Sequence, residues 1–342
     1  MPGRRVGAEA MEGTAVKVKS VLVPWLILTL FVCLPSSAAD RPIVLLVVGA
    51  PGSDEYGKQF QKWAGRWQEA AGQGDFDFAA VGFDEEGQLN DQQRLRRRLT
   101  EEATNSRQEL WLVLIGHGTF DGRTAKFNLR GPDVSASELA EWLRPFTGSL
   151  AVVNCASASG PFINALSAPN RVVIAATKSG HEHNFARFGD YFSAAIGDSS
   201  ADLDKDRQTS LLEAFLLAAA RVEEFYADGG RLATEHALID DNGDQLGTPA
   251  AWFEGVRAVK VAKNGANPDG VLAGQRHLLP SSHEQRLTAE ARSRRDALER
   301  EIAQLRLRKG QLSEEEYYRH LEPLAVELAK LYAESDEKAP SP

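Results

Sequence analysis

Apolar runs of strand length recur along the chain at 43–48, 76–81, 110–115, 150–153 and 172–176. Such runs suit strands buried on both faces, because a strand with one wet face alternates strictly. Between these runs, segments 56–71, 91–103, 137–145 and 162–166 carry apolar residues at helical spacing. The alternation predicts a doubly wound, mostly parallel α/β sheet with flanking helices. Further helices are predicted at 189–196 and, behind an acidic loop at 202–210, at 211–226.

Segment 263–283 is rich in Gly, Asn, Pro and Ser without periodicity and reads as a linker or an extended surface segment, which bounds the main domain at about 40–262. A C-terminal helical hairpin is predicted over 284–335. Its second helix opens at Ser313, with Glu316 three residues on as a capping box. Leu321, Leu324, Leu328 and Leu331 form one apolar stripe, which must bury against the core, the partner helix or another protein. Residues 336–342 are expected to be a disordered tail.

The first 39 residues have the layout of a secretory signal. Arg4, Arg5, Lys17 and Lys19 precede an apolar run from Ser20 to Leu34, and Ser37-Ala38-Ala39 offers small residues for cleavage. A spanning helix needs about 20 apolar residues. This run has 15 and contains Pro24, so a periplasmic or secreted protein is expected rather than a membrane anchor.

The whole chain carries 39 basic and 48 acidic side chains for a net charge of −9. Removing four basic and two acidic residues with the signal leaves 35 − 46 = −11. Nothing basic is clustered enough for a nucleic-acid surface, so nucleic acid is excluded as a partner. Of the two cysteines, Cys33 lies in the signal, and Cys155 is then alone. A lone thiol in a compartment that permits disulfides has two readings, a small buried hydrophobe or a reactive nucleophile.

Functional residues of an open α/β sheet gather at the carboxyl ends of its strands. Two such ends carry chemistry: the run 110–115 enters Gly116-His117-Gly118, and 149–154 enters Cys155-Ala156-Ser157. The 155 − 117 = 38 residues between them hold a helical segment, so the strands fit parallel neighbours joined by one crossover. Thiolate is the nucleophile, and a neighbouring imidazole can generate it and later protonate the leaving amine. Gly116 and Gly118 would allow a tight turn, and backbone N–H groups near Gly118 and Cys155 would supply an oxyanion site. Gly49-Ala50-Pro51-Gly52 lacks the Gly-Lys-Ser/Thr of a phosphate loop and reads as a turn.

An apolar strand ending in His-Gly, followed by a second ending in Cys, resembles the signature of caspases, metacaspases, legumain and the gingipains. The stretch Ala175-Ala176-Thr177-Lys178-Ser179-Gly180, continuing through Arg187-Phe188-Gly189-Asp190-Tyr191-Phe192, is similar to the segment lining the first specificity pocket there. Asn154 stands where caspases carry Ala, which brings the chain nearer to legumain-like and bacterial relatives. The resemblance covers about residues 42–260 and implies a caspase-like fold and a cysteine endopeptidase acting on proteins or peptides. His117 would be the general acid or base and Cys155 the acyl-forming nucleophile, with Gly116 and Gly118 in support. Position and charge suggest Glu182, Asp190 or Ser179 for selecting a polar or basic residue in the substrate pocket, and the resembling stretch adds Arg187. No organic cofactor is implied. A non-catalytic exported scaffold or binding protein, with an incidental thiol, is the rival reading.

Asp202, Asp204, Asp206, Gln208, Ser210 and Glu213 occupy positions 1, 3, 5, 7, 9 and 12 of a calcium-loop pattern. Arg207 stands at the sixth position, where glycine usually permits the turn. Either Ca2+ is held there or the segment is an acidic, solvated helix entrance. Asp240-Asp241-Asn242-Gly243-Asp244 is a turn-rich acidic segment and a weaker ion candidate.

Overall fold

A computed structural model describes residues 41–337 apart from 84–87, 105–108 and 264–265. The expected signal, residues 1–39, lies outside the described residues. The first half of the chain reads β1 (Ile43–Val48), α1 (Asp54–Gln73), β2 (Asp77–Val81), α2 (Asp91–Thr104) and β3 (Glu109–Ile115). Three short strands, β4 (Gly118–Phe120), β5 (Ala125–Phe127) and β6 (Val134–Ser135), then precede α3 (Ala136–Leu143), β7 (Ser149–Asn154), α4 (Gly160–Leu166) and β8 (Arg171–Ala175). Next come α5 (Phe188–Ala195), α6 (Leu211–Asp228), β9 (Leu238–Asp240), β10 (Thr248–Pro249), β11 (Phe253–Glu254) and β12 (Arg257–Ala258). The C-terminal part holds α7 (Val271–Gly274), α8 (Ser282–Arg286), α9 (Ala289–Leu307) and α10 (Glu314–Glu337).

Seven strands form the main sheet in the order β10-β9-β8-β7-β3-β1-β2. β2, β1, β3, β7 and β8 pair in parallel, and β9 and β10 add an antiparallel edge. The five apolar runs are these five parallel strands. Their side chains divide between two cores, as alternate residues must. Val44, Leu46, Trp111, Val113, Ala151 and Val153 pack under α1, α5 and α6. Ile43, Leu45, Leu110, Leu112, Leu150 and Val152 pack under α2, α3 and α4. The chain leaves β1 toward β2 on one side and continues through β3 and β7 on the other, so the strand order reverses between β1 and β3. Such a switch point opens a crevice at the carboxyl ends of the two strands.

Residues 266–282, expected as a linker, are tied to the main sheet. Asp269 Oδ1 accepts the backbone N–H groups of Asp241 and Asn242, and its Oδ2 accepts from the Thr248 hydroxyl at 2.5 Å. In return the Asp241 carboxylate accepts N–H groups of Gly270 and Ala273 at the start of α7. Ala273 and Leu278 are fully buried. Composition misled because Gly and Asn here serve turns that buried carboxylates hold.

The C-terminal hairpin packs on that segment and on itself. Gln275 donates to the Asp296 carbonyl and the Glu299 carboxylate, and Arg300 donates back to Gln275. Arg295, almost fully buried, pairs with Glu284 and Asp296. Leu298, Ile302 and Leu305 supply the buried stripe of α9, whereas the leucine stripe of α10 is only half-buried and Tyr317 is that helix's buried anchor. α10 runs two residues into the expected tail, and 338–342 lie outside the described residues. Leu298→Ala should cost about 2–5 kcal/mol of global stability, because it opens a cavity at a fully buried position. Urea denaturation should show the main transition shifted as a whole; an unmoved main transition would mean that the hairpin unfolds separately.

Candidate functional site

His117 stands two residues beyond the end of β3, at the β1–β3 switch point. Its Nε2 lies 3.1 Å from the Pro51 carbonyl in the turn after β1. A carbonyl can only accept, so Nε2 carries a hydrogen and donates it. The ring is boxed by aromatic side chains, edge-on to Tyr56 and Phe60 with centroids at 4.9 and 5.3 Å and tilted against Phe185 at 5.8 Å. Three of these groups come from α1 and the turn preceding it, which the Ser53 cap fixes through its bond from Tyr56 N–H.

Cys155 follows β7 directly, but it is placed deeper than His117. In the β3–β7 ladder Leu114 faces Asn154, and the Cys155 N–H continues the ladder by donating to the Leu114 carbonyl at 2.9 Å. Counting outward from this register sets His117 level with Ser157, two residues beyond the cysteine. The next contact agrees: Gly118 N–H donates to Ser157 Oγ at 3.2 Å, and Ser157 Oγ donates to the Gly118 carbonyl at 3.1 Å. Among the described residues no hydrogen bond joins His117 to Cys155. Ser157 is thus the residue that meets the histidine turn, and an apolar run alone, without its register, could not reveal it.

The thiol belongs to the core under α1, α5 and α6 and has no solvent exposure. α5 passes so close that a Cβ on Gly189 would lie 2.8 Å from Cys155 Cβ and equally near the Trp63 ring. Burial, reinforced by the nearby Glu235 carboxylate, pushes the thiol from its ordinary 9.0 up to about 12. Glu235 is itself buried. It accepts N–H groups of Arg187 and Phe188 at the start of α5 and a hydroxyl from Tyr226, and burial raises its own pKa.

The expected oxyanion donors are already engaged, Gly118 N–H on Ser157 and Cys155 N–H in the ladder. Both glycines of the histidine turn are packing residues. A Cβ on Gly116 would come within 3.0 Å of the Phe127 ring, and one on Gly118 within 2.1 Å of the Ser157 carbonyl.

The expected pocket residues serve as braces. Glu182 accepts from the N–H groups of Lys178 and His236 and sits 2.6 Å from His236 Nδ1. Arg187 stacks its guanidinium over Phe225, 4.1 Å from the ring centre. Ser179 Oγ accepts from the His181 N–H in a local turn.

The first acidic loop gathers three of its six candidates. Carboxylate oxygens of Asp202, Asp204 and Asp206 lie within 4.8 Å of one another. Arg207 takes a left-handed φ of +72°, the conformation that a glycine would supply. The other three candidates have structural partners. Gln208 accepts from Ser281 N–H, Ser210 caps α6, and Glu213 completes that capping box while accepting the N–H groups of Leu203 and Asp204. Burial and the charges of Asp206, Glu213 and Asp202 push Asp204 up to about 6.

No protein-family model and no curated protein matches the chain. Solved structures similar to it include the Drosophila initiator caspase Dronc, at 15% identity over 62% of this chain and 83% of that one, with a TM-score of 0.39. Caspase-1 from Spodoptera frugiperda is similar at 9% identity over 59% and 87%, with a TM-score of 0.38.

Two predictions test this geometry. In a Cys33→Ser protein, native Cys155 should react with iodoacetamide at pH 8 at least roughly a thousandfold more slowly than in denaturant, as three pH units of thiolate depletion require. The folded state holds this proton more tightly than the unfolded state, so the thiol's contribution to stability declines as pH rises from about 9 to about 12. Fast native labelling at pH 8 would refute the buried assignment. Gly118→Ala should cost about 1–3 kcal/mol through overpacking against the Ser157 carbonyl, read by the urea midpoint.

Proposed function

We propose that the chain is a non-hydrolytic protein of caspase-like architecture that binds a protein or peptide partner. One observation carries this reading: Cys155 is a core side chain with no solvent exposure, and burial pushes its thiol up to about 12. A nucleophile needs thiolate, an imidazole within reach and free oxyanion donors. Here the imidazole is on Pro51, and the donors near Gly118 and Cys155 are spent. Export, proposed from residues 1–39, fits a buried cysteine, because a thiol without access is spared oxidation and mispairing.

Cysteine-type peptide hydrolysis is the second reading, favoured by the placement of His117 and Cys155 at one edge of two adjacent parallel strands. It requires the Cys155 turn to leave the core and His117 to turn from Pro51. A bound calcium ion is proposed at Asp202, Asp204 and Asp206, supported by the convergence of their carboxylates and the left-handed Arg207, and it would brace the entrance to α6.

Incubation with a mixed fluorogenic peptide library, with calcium present or chelated, separates the two readings. The wild type should release no more product than Cys155→Ala under any condition. Turnover that vanishes in Cys155→Ala would establish the peptidase and sink the binding reading.

A further inference from the structure

The turn between β9 and β10 repeats the first acidic loop in a part of the sequence that shares no element with it. Asp240, Asn242 and Asp244 stand at the first, third and fifth positions, as Asp202, Asp204 and Asp206 do. The fourth residue is left-handed in both, Gly243 at φ +79° and Lys205 at +68°, and so is the sixth, Gln245 at +71° and Arg207 at +72°. The first carboxylate accepts the fourth N–H in both loops, from Gly243 at 3.0 Å and from Lys205 at 2.6 Å. The third side chain accepts the fifth N–H, and the fifth accepts the seventh, again in both. In the first loop the carboxylates held in this way converge within 4.8 Å of one another.

A separate observation points to a ligand. Asp240 has no solvent exposure, and although the Ser167 hydroxyl and the N–H groups of Gly243 and Gln245 face its carboxylate, its Oδ2 makes no close hydrogen bond; the Oδ2 of Asp244 is likewise buried without one. Two buried carboxylate oxygens left bare are costly, since a buried charge is ordinarily paired or bound to a metal. Repulsion between them adds to the cost, and a cation between them removes both terms at once.

We propose that the β9–β10 turn is a second divalent-cation site, held by the carboxylates of Asp240 and Asp244 with the Asn242 amide oxygen and the Leu246 carbonyl at the seventh position. An all-oxygen donor set takes a hard cation, and several protein oxygens in a flexible turn suit calcium over magnesium, which retains its waters. No histidine or thiolate is in the set for zinc. With two carboxylates and no closing glutamate, affinity falls in the weak class of about 10⁻⁴–10⁻³ M. Asp241, between the ligands, holds residues 266–282, so the ion would couple the sheet edge to the C-terminal segment.

The test is hydrogen exchange of the full chain with calcium chloride or with a chelator, in wild type, Asp204→Asn and Asp244→Asn. Calcium should slow exchange at least severalfold across 238–248 in the wild type and in Asp204→Asn, and should have no effect there in Asp244→Asn. Calorimetry should count one calcium fewer in Asp244→Asn than in wild type. The proposal fails if 238–248 exchange alike with and without calcium at about 5 mM in the wild type and in Asp204→Asn, or if Asp244→Asn binds as many ions as wild type. Loss of the first loop alone is a different outcome, read as calcium protection near 202–213 that disappears in Asp204→Asn. If Asp244→Asn does not fold, the exchange data on wild type and Asp204→Asn still decide.

Discussion

The β3–β7 register fixes everything that happens at the carboxyl edge of the sheet. Both strands are buried on both faces, so a slip by one residue would exchange the contents of two cores, and the pairing of Leu114 with Asn154 is strongly determined. Once it is set, the depth of every residue beyond the strand ends is set with it. His117 reaches the switch point against Pro51, Ser157 meets its turn, and Cys155 stays inside. Packing seals this arrangement, since Gly116 lies against Phe127, Gly118 against Ser157 and Gly189 against Cys155.

Buried carboxylates do the remaining work of holding loops in place. Glu213 joins the acidic loop to the start of α6, Glu235 joins the segment before β9 to α5, and Asp241 with Asp269 joins the sheet edge to α7. Each accepts two or more N–H groups, which is how a charge is kept out of water without ruinous cost. These residues are spread through the chain, and their partners lie about 10 to 50 residues away, so loops that look independent in sequence are fastened to one another.

Four of the five parallel strands were legible because burial on both faces leaves an apolar run, while the edge strand β2, half-buried and opening at Asp77, was legible from its remaining apolar residues. The helices over 56–71 and 211–226 and the Ser313 capping box were legible from spacing for the same local reason. What escaped was non-local. The sheet of β4, β5 and β6 consists of strands of two or three residues, too short for a periodic signal. The end of an apolar run shows where a strand stops being buried, but not which residue of the neighbouring strand stands opposite, so His117 and Cys155 looked level. Residues 266–282 looked like a linker because the carboxylate tether from Asp241 is invisible to composition. At the first acidic loop, spacing correctly brought three aspartates together, while Gln208, Ser210 and Glu213 proved to be engaged in capping and loop contacts.

The position of Glu235 also bears on how this scaffold could acquire new chemistry. The first turn of a helix offers partial positive charge that lowers the pKa of a nearby thiol, and α5 passes directly over Cys155. Glu235 caps that very turn with a carboxylate, which opposes the helix end and helps to push the thiol's pKa up rather than down. A lineage or a designer wishing to convert this edge to thiol chemistry would have to begin not with the cysteine or the histidine but with the anion behind them. Removing that anion would in turn loosen α5, which ties reactivity and structural integrity to the same carboxylate.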